Sequence, residues 1–153
     1  MRRQHARTEV VHDRTTTLRN NMSISHELIR NTIAQVAVAI DQKDWRFLET
    51  LFTNNTTVIF PAPIGSHTSF NSFQESLQGI LQNISTQHSL TTQIINLGTN
   101  SAKVTTYVTT VICGDEAGTT STSSGIYEDE LVKIDSNGQE RWRVVKRKAS
   151  SFP

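Results

Sequence analysis

The feature that most constrains this chain is a change of hydrophobic period near residue 85. Before it, apolar residues recur every three or four positions. Leu28, Ile29, Ile33, Val36, Ala37 and Ile40 form one such stripe, and Phe70, Phe73, Leu77, Ile80, Leu81 and Ile84 form another. That spacing predicts amphipathic helices. After it, the stretches His88 to Leu97, Lys103 to Cys113, Ser121 to Ile134 and Arg141 to Lys148 are β-branched or alternating. Turn residues separate them at Gly98 with Asn100, at Gly114 to Gly118, and at Ser136, Asn137 and Gly138. Helices first and a long run of strands afterwards predict an α+β chain with a mostly antiparallel sheet, and argue against a parallel βαβ fold.

Local signals fill in the first half. Ser23 or Ser25 can cap the first helix, whose stripe ends at Asp41. Asp44 offers a second cap, before a short helix with Trp45, Leu48, Leu51 and Phe52 on its apolar side. Asn54 and Asn55 are expected to break that helix ahead of a strand over 57–60, stopped by Pro61 and Pro63. Residues 1–22 are polar and lack periodicity, and are expected to form a flexible tail outside a single domain over 23–150. At 153 residues the chain suits one core and not two.

Several functional classes recede on composition. Lys and Arg number 15 against 14 Asp and Glu, so net charge does not steer the chain to nucleic acid. The basic clusters, Arg2 to Arg19 and Arg141 to Lys148, read as a tail and as the solvent side of the last strand. No stretch approaches the roughly 20 apolar residues that span a bilayer. The lone Cys113 excludes a disulfide framework and a thiolate zinc site, which fits a cytoplasmic setting. No dinucleotide or phosphate-loop fingerprint is present. No pair among the five histidines, His5, His12, His26, His67 and His88, has H-E-x-x-H spacing, so no metal or other cofactor is expected.

The stretch AIDQKDWRFLETLF, a short strand ending in Phe60, then QHSLTTQIINL, YVTTVI, GIYEDELVKI and RWRVVKR occur in an order that resembles the SnoaL-like family and its scytalone dehydratase relatives, over about residues 24–148. The resemblance implies an NTF2-like cone: about three helices on a strongly curved mixed sheet, an internal pocket, and a homodimer or homotrimer. It also implies a histidine supported by an aspartate, aided by a second histidine and two tyrosines. These positions correspond here to His88, Asp41, Val108, Ile40 and Phe60, and an active-site asparagine corresponds to Tyr127 or its neighbourhood. The dyad is kept while its polar surroundings are largely replaced, which makes scytalone itself a poor substrate. Other relatives dehydrate, isomerise or cyclise polyketides, steroids and terpenoids.

Each candidate also has an ordinary reading. Asp41 could simply sit in a turn, and His88 could be a half-exposed strand histidine; paired, they make a general base with a carboxylate that fixes its tautomer. Tyr127 on the inner face could donate a proton, with Asp129 lining the mouth. Tyr107 and Trp45 could form pocket wall or sheet and core packing. The expected function is a cofactor-independent dehydratase, isomerase or cyclase for a hydrophobic polyketide- or terpenoid-like metabolite, with His88, Asp41 and Tyr127 catalytic. A non-catalytic ligand-binding or assembly domain is the alternative. Epoxide hydrolysis would need an internal Asp-Arg-Asp set, and Arg30 and Arg46 are expected to face solvent.

Overall fold

The structure, a computed structural model, describes residues 2–114 and 118–152, with side chains from residue 14 onward. Three helices, α1 (Arg2–Gln42), α2 (Trp45–Leu51) and α3 (Phe70–Ile80), combine with six strands. These are β1 (Phe52–Ile59), β2 (Ser66–His67), β3 (Ser85–Leu97), β4 (Ser101–Cys113), β5 (Thr120–Ser136) and β6 (Gln139–Ser151). Residues 115–117 of the expected Gly114–Gly118 turn lie outside the described residues.

The apolar stripe read from the sequence is the buried face of α1: Ile29, Ile33, Val36, Ala37 and Ile40 are all buried. No Gly or Pro interrupts Arg2–Gln42, and the helix runs well N-terminal of the boundary expected at residue 23. The stretch read as a tail is therefore helical, with the side chains of residues 14–24 exposed. Lys43, at φ +56°, ends α1, and the Asp44 carboxylate accepts the Phe47 N–H at 3.0 Å to start α2. Asn54 and Asn55 do not interrupt the chain between helix and strand as expected; they lie inside β1. Phe52 at its start is fully buried against the rings of Phe70 and Phe73 at 5.4 and 5.8 Å, pairs that each add about 0.5–1.5 kcal/mol beyond area burial.

The sheet order is β2-β1-β6-β5-β4-β3. Only β1–β6 is parallel; the other ladders are antiparallel. This corrects the expected cone. The sheet is open and is not strongly curved, with β2 and β3 as its two edges. Closure requires edge strands long enough to pair with one another, and β2 is only two residues long.

Two register shifts decide which side chains face the helices. In β3, Leu90 pairs Val108 but Gln93 pairs Thr106, so β3 carries one extra residue. In β6, Val144 pairs Leu131 but Lys146 pairs Glu130, so Val145 is extra. An extra residue inverts the alternation beyond it. Trp142 and Val144 point inward, and after the shift so does Arg147, which is buried. The expectation that Arg147 lies on the solvent side fails for this reason.

Glu140 clamps α1 to the sheet. Its Oε1 accepts the Ser25 hydroxyl at 2.6 Å and the Trp142 indole N–H at 2.8 Å, with the Lys133 ammonium 3.8 Å from Oε2. Burial pushes its carboxyl up, but the Ser25 and Trp142 donors and Lys133 outweigh this and hold it below the usual carboxylate range. A depressed carboxylate stabilises the fold above its unfolded pKa, and that contribution is lost as pH falls through the folded one. Glu140→Ala is expected to cost about 1–3 kcal/mol at neutral pH. Urea melts should show this gap narrowing as pH falls below the ordinary glutamate value of about 4.3.

Candidate functional site

A cavity of about 330 Å³ lies between α1, α3 and the inner face of the sheet. Its helix-side wall is apolar: Ile40 from α1, Phe73, Leu77 and Ile80 from α3, and Pro61, Pro63 and Ile64 from the loop after β1. The sheet side carries the polar groups. Thr86 and His88 come from β3, Thr110 from β4, Ser123 and Tyr127 from β5, and Ser150 and Ser151 from β6.

His88 is oriented by α1. Asp41, in the last turn of that helix, accepts the His88 ring Nδ1–H at 2.6 Å and the Thr86 hydroxyl at 2.8 Å on Oδ1. Its Oδ2 accepts the His88 backbone N–H at 2.8 Å. The His88 side chain is 9 % exposed and that of Asp41 20 %. Donation from Nδ1 leaves the lone pair of the neutral imidazole on Nε2, the nitrogen free to serve a molecule in the cavity. Strand alternation sets Thr86 and His88 on the same face, so one residue braces the carboxylate and the other receives its support.

Tyr127 faces the same cavity from two strands away. Its ring packs on Phe60 at 5.8 Å, and the Arg147 guanidinium lies over it at 4.5 Å from the ring centroid. Burial raises the phenol above its ordinary value; Asp129 and Asp41 add to this, while Arg147 and a hydrogen bond with Thr110 work against it. Tyr127 is therefore a neutral hydrogen-bond donor at physiological pH. Arg147 forms a bidentate pair with Asp129, Nε to Oδ1 at 2.6 Å and Nη2 to Oδ2 at 3.0 Å. Burial works against the charged guanidinium, but Asp129, together with Tyr127, outweighs it and keeps Arg147 charged.

Of the residues named from sequence, His88, Tyr127, Val108, Phe60 and Ile40 line the cavity, and Asp41 stands behind His88. Asp129 is not at a mouth: it is buried and closed on Arg147. Tyr107 points to the opposite face of β4, exposed, with its ring edge-on to Phe152 at 5.0 Å. Trp45 packs against the core and does not line the cavity. His67 ties the loop after β1, its Nε2–H donating to the Ile64 carbonyl at 2.8 Å while Nδ1 accepts from Ser72 at 2.7 Å. An internal arginine does exist, contrary to expectation. Its fork is filled by Asp129 while Asp41 is engaged by Thr86 and His88, so an Asp-Arg-Asp set is not formed. Among the described residues no group of three or more His, Cys, Asp or Glu side chains could hold a metal ion, and no helix is long and apolar enough to cross a membrane.

Thr86, Thr110 and Arg147, with the cavity serines Ser123, Ser150 and Ser151, are site residues that no motif in the sequence marks. Thr86 was legible as the same-face neighbour of His88. Arg147 was not, because the bulge at Val145 hides its direction.

An α+β domain with a His-Asp pair at an apolar cavity is the architecture of NTF2-like small-molecule binding proteins and enzymes. The chain belongs to the SnoaL-like domain family, which matches residues 23–148, within the NTF2-like superfamily. None of the curated proteins matches it. Among solved structures it is similar to a candidate scytalone dehydratase from Novosphingobium aromaticivorans, with 19 % identity, 88 % of each chain covered and a TM-score of 0.77. An NTF2-like superfamily protein from Salmonella enterica is 20 % identical, with 85 % of this chain and 92 % of that one covered and a TM-score of 0.73. LinA is 14 % identical, with 86 % and 88 % covered and a TM-score of 0.73. These likenesses establish the fold.

Proposed function

We propose that this protein is a cofactor-independent lyase or isomerase that acts on a small, largely apolar organic molecule bearing a carbonyl group, of polyketide or terpenoid type. The observation that carries the reading is the direction of His88: Asp41 holds its Nδ1 side, and the ring borders a cavity whose opposite wall is hydrocarbon. In the proposed step Nε2 takes a proton from a carbon next to the carbonyl. The C–H electron pair moves to the carbonyl oxygen, which accepts a hydrogen bond from the Tyr127 phenol. Asp41 stabilises the imidazolium so formed. The proton then returns at a different carbon, giving isomerisation, or leaves with a β-hydroxyl as water, giving dehydration; collapse of the enolate onto an internal electrophile would give cyclisation.

A binding role without turnover is the second reading, favoured by the hydrocarbon side chains Ile40, Phe60 and Val108 around the dyad. The test needs no knowledge of the natural substrate. The protein is incubated in D2O with 2-tetralone, an apolar ketone sized for the cavity, and loss of the α-proton signals is followed by NMR. Exchange well above the buffer rate is expected. Saturable binding with exchange at the buffer rate would sink the catalytic reading and leave the binding one.

A further inference from the structure

The Asp129–Arg147 pair is the one fully buried ion pair among the described residues, with side chains 0 % and 2 % exposed. Stability does not account for it, because a buried ion pair is on average no better than hydrocarbon of the same volume. Its position is more informative. Asp129 and Arg147 face each other across the β5–β6 ladder, two residues along from the Tyr127–Ala149 pair, and the guanidinium carbon lies over one face of the Tyr127 ring. The carboxylate fixes the fork, and the fork backs one face of the ring while Phe60 packs against it.

We propose that Arg147 is a positioning residue for Tyr127: held by Asp129, its guanidinium orients the phenol toward the cavity and stabilises negative charge as the phenol gives its proton to a ligand oxygen. This rests on Tyr127 being the proton or hydrogen-bond donor of the proposed reaction. The pair thus acts as a tuned source of positive potential. Arg147 supplies the field, and Asp129 both aims it and caps its strength. The other groups facing Tyr127 are Asp41 at the end of α1 and Thr110 on β4, with His88 of β3 across the same cavity; none of these places a fixed positive charge on the ring.

The sequence makes a direct test available, because it holds two tyrosines and Tyr107 lies on the outer face. In a Tyr107→Phe background every tyrosinate signal at 295 nm belongs to Tyr127, and no substrate is needed. Adding Asp129→Asn keeps the shape of the pair but removes the charge that offsets Arg147. The Tyr127 titration is then expected to move down by about one pH unit or more relative to the parent. An Asp129→Asn protein that titrates no earlier than its parent overturns the proposal. Should Asp129→Asn not fold, the neutral double variant Asp129→Asn/Arg147→Gln serves. The Tyr127 ¹³Cζ resonance, which follows charge density on the phenol, is expected to move at pH 7 relative to the parent, and an unmoved resonance in the folded double variant overturns the proposal equally. These readouts involve no turnover. A shifted phenol in a protein that exchanges no ketone protons would refute the enzymatic reading while leaving the Arg147–Tyr127 coupling standing.

Discussion

Replacing His88 by alanine is expected to lower the rate of α-proton exchange by about 10²–10⁴-fold, the range over which a positioned general base accelerates proton transfer. Affinity for the ketone should change little, because the walls that would bind it are contributed by other side chains: Ile40, Phe60, Phe73, Leu77 and Val108. The loss therefore belongs in kcat and not in KM, which is the signature of an interaction made in the transition state. Asp41→Asn should produce a loss of similar order for a different reason. An amide can present an N–H to Nδ1, which favours the tautomer with its hydrogen on Nε2 and removes the lone pair from the cavity side. The carboxylate also accepts from Thr86 and from the His88 backbone, so thermal melts should accompany the kinetics to separate catalysis from fold. Retention of exchange within a factor of two in folded His88→Ala would remove the imidazole from the chemistry.

How much of this was readable in the chain depends on how local each signal is. The α1 face from Ile29 to Ile40 and the Asp44 cap were legible because each is set by residues within a turn or two. The Asp41–His88 contact spans 47 residues; spacing alone carries no trace of it, and it came from the family resemblance. Sheet shape was misjudged because closure depends on the edges, and a two-residue β2 leaves almost no mark in the hydrophobic pattern. The helical conformation of the N-terminal stretch was missed for the opposite reason: its described side chains, residues 14–24, are exposed and make no apolar stripe. Membership of the basic cluster Arg141 to Lys148 places Arg147 with solvent, and plain alternation from Trp142 and Val144 gives the same side. That inference is sound until a bulge inserts one residue, after which every later side chain changes face.

The same bulge leads to the largest stability effect expected of a single substitution. Arg147→Met fills much of the arginine volume but leaves the Asp129 carboxylate at 0 % exposure without a counter-charge. Breaking a buried pair from one side costs about 3–5 kcal/mol, which for a domain of this size lowers Tm by roughly 6–20 °C at about 2–4 °C per kcal/mol. The penalty comes from the stranded charge and not from lost packing, and this has a consequence that separates the two. Asp129→Leu/Arg147→Met removes both charges and keeps the volume, so it should recover to near the wild-type stability or exceed it, with a double-mutant coupling of several kcal/mol. Equilibrium urea denaturation of the four proteins measures that coupling, and single and double variants that lose the same amount would mean the cost is packing alone. Recovery would show that the pair is dispensable to the fold, which leaves its contact with the Tyr127 ring, and with it the proposed positioning role, as the feature that distinguishes it from hydrocarbon of the same volume.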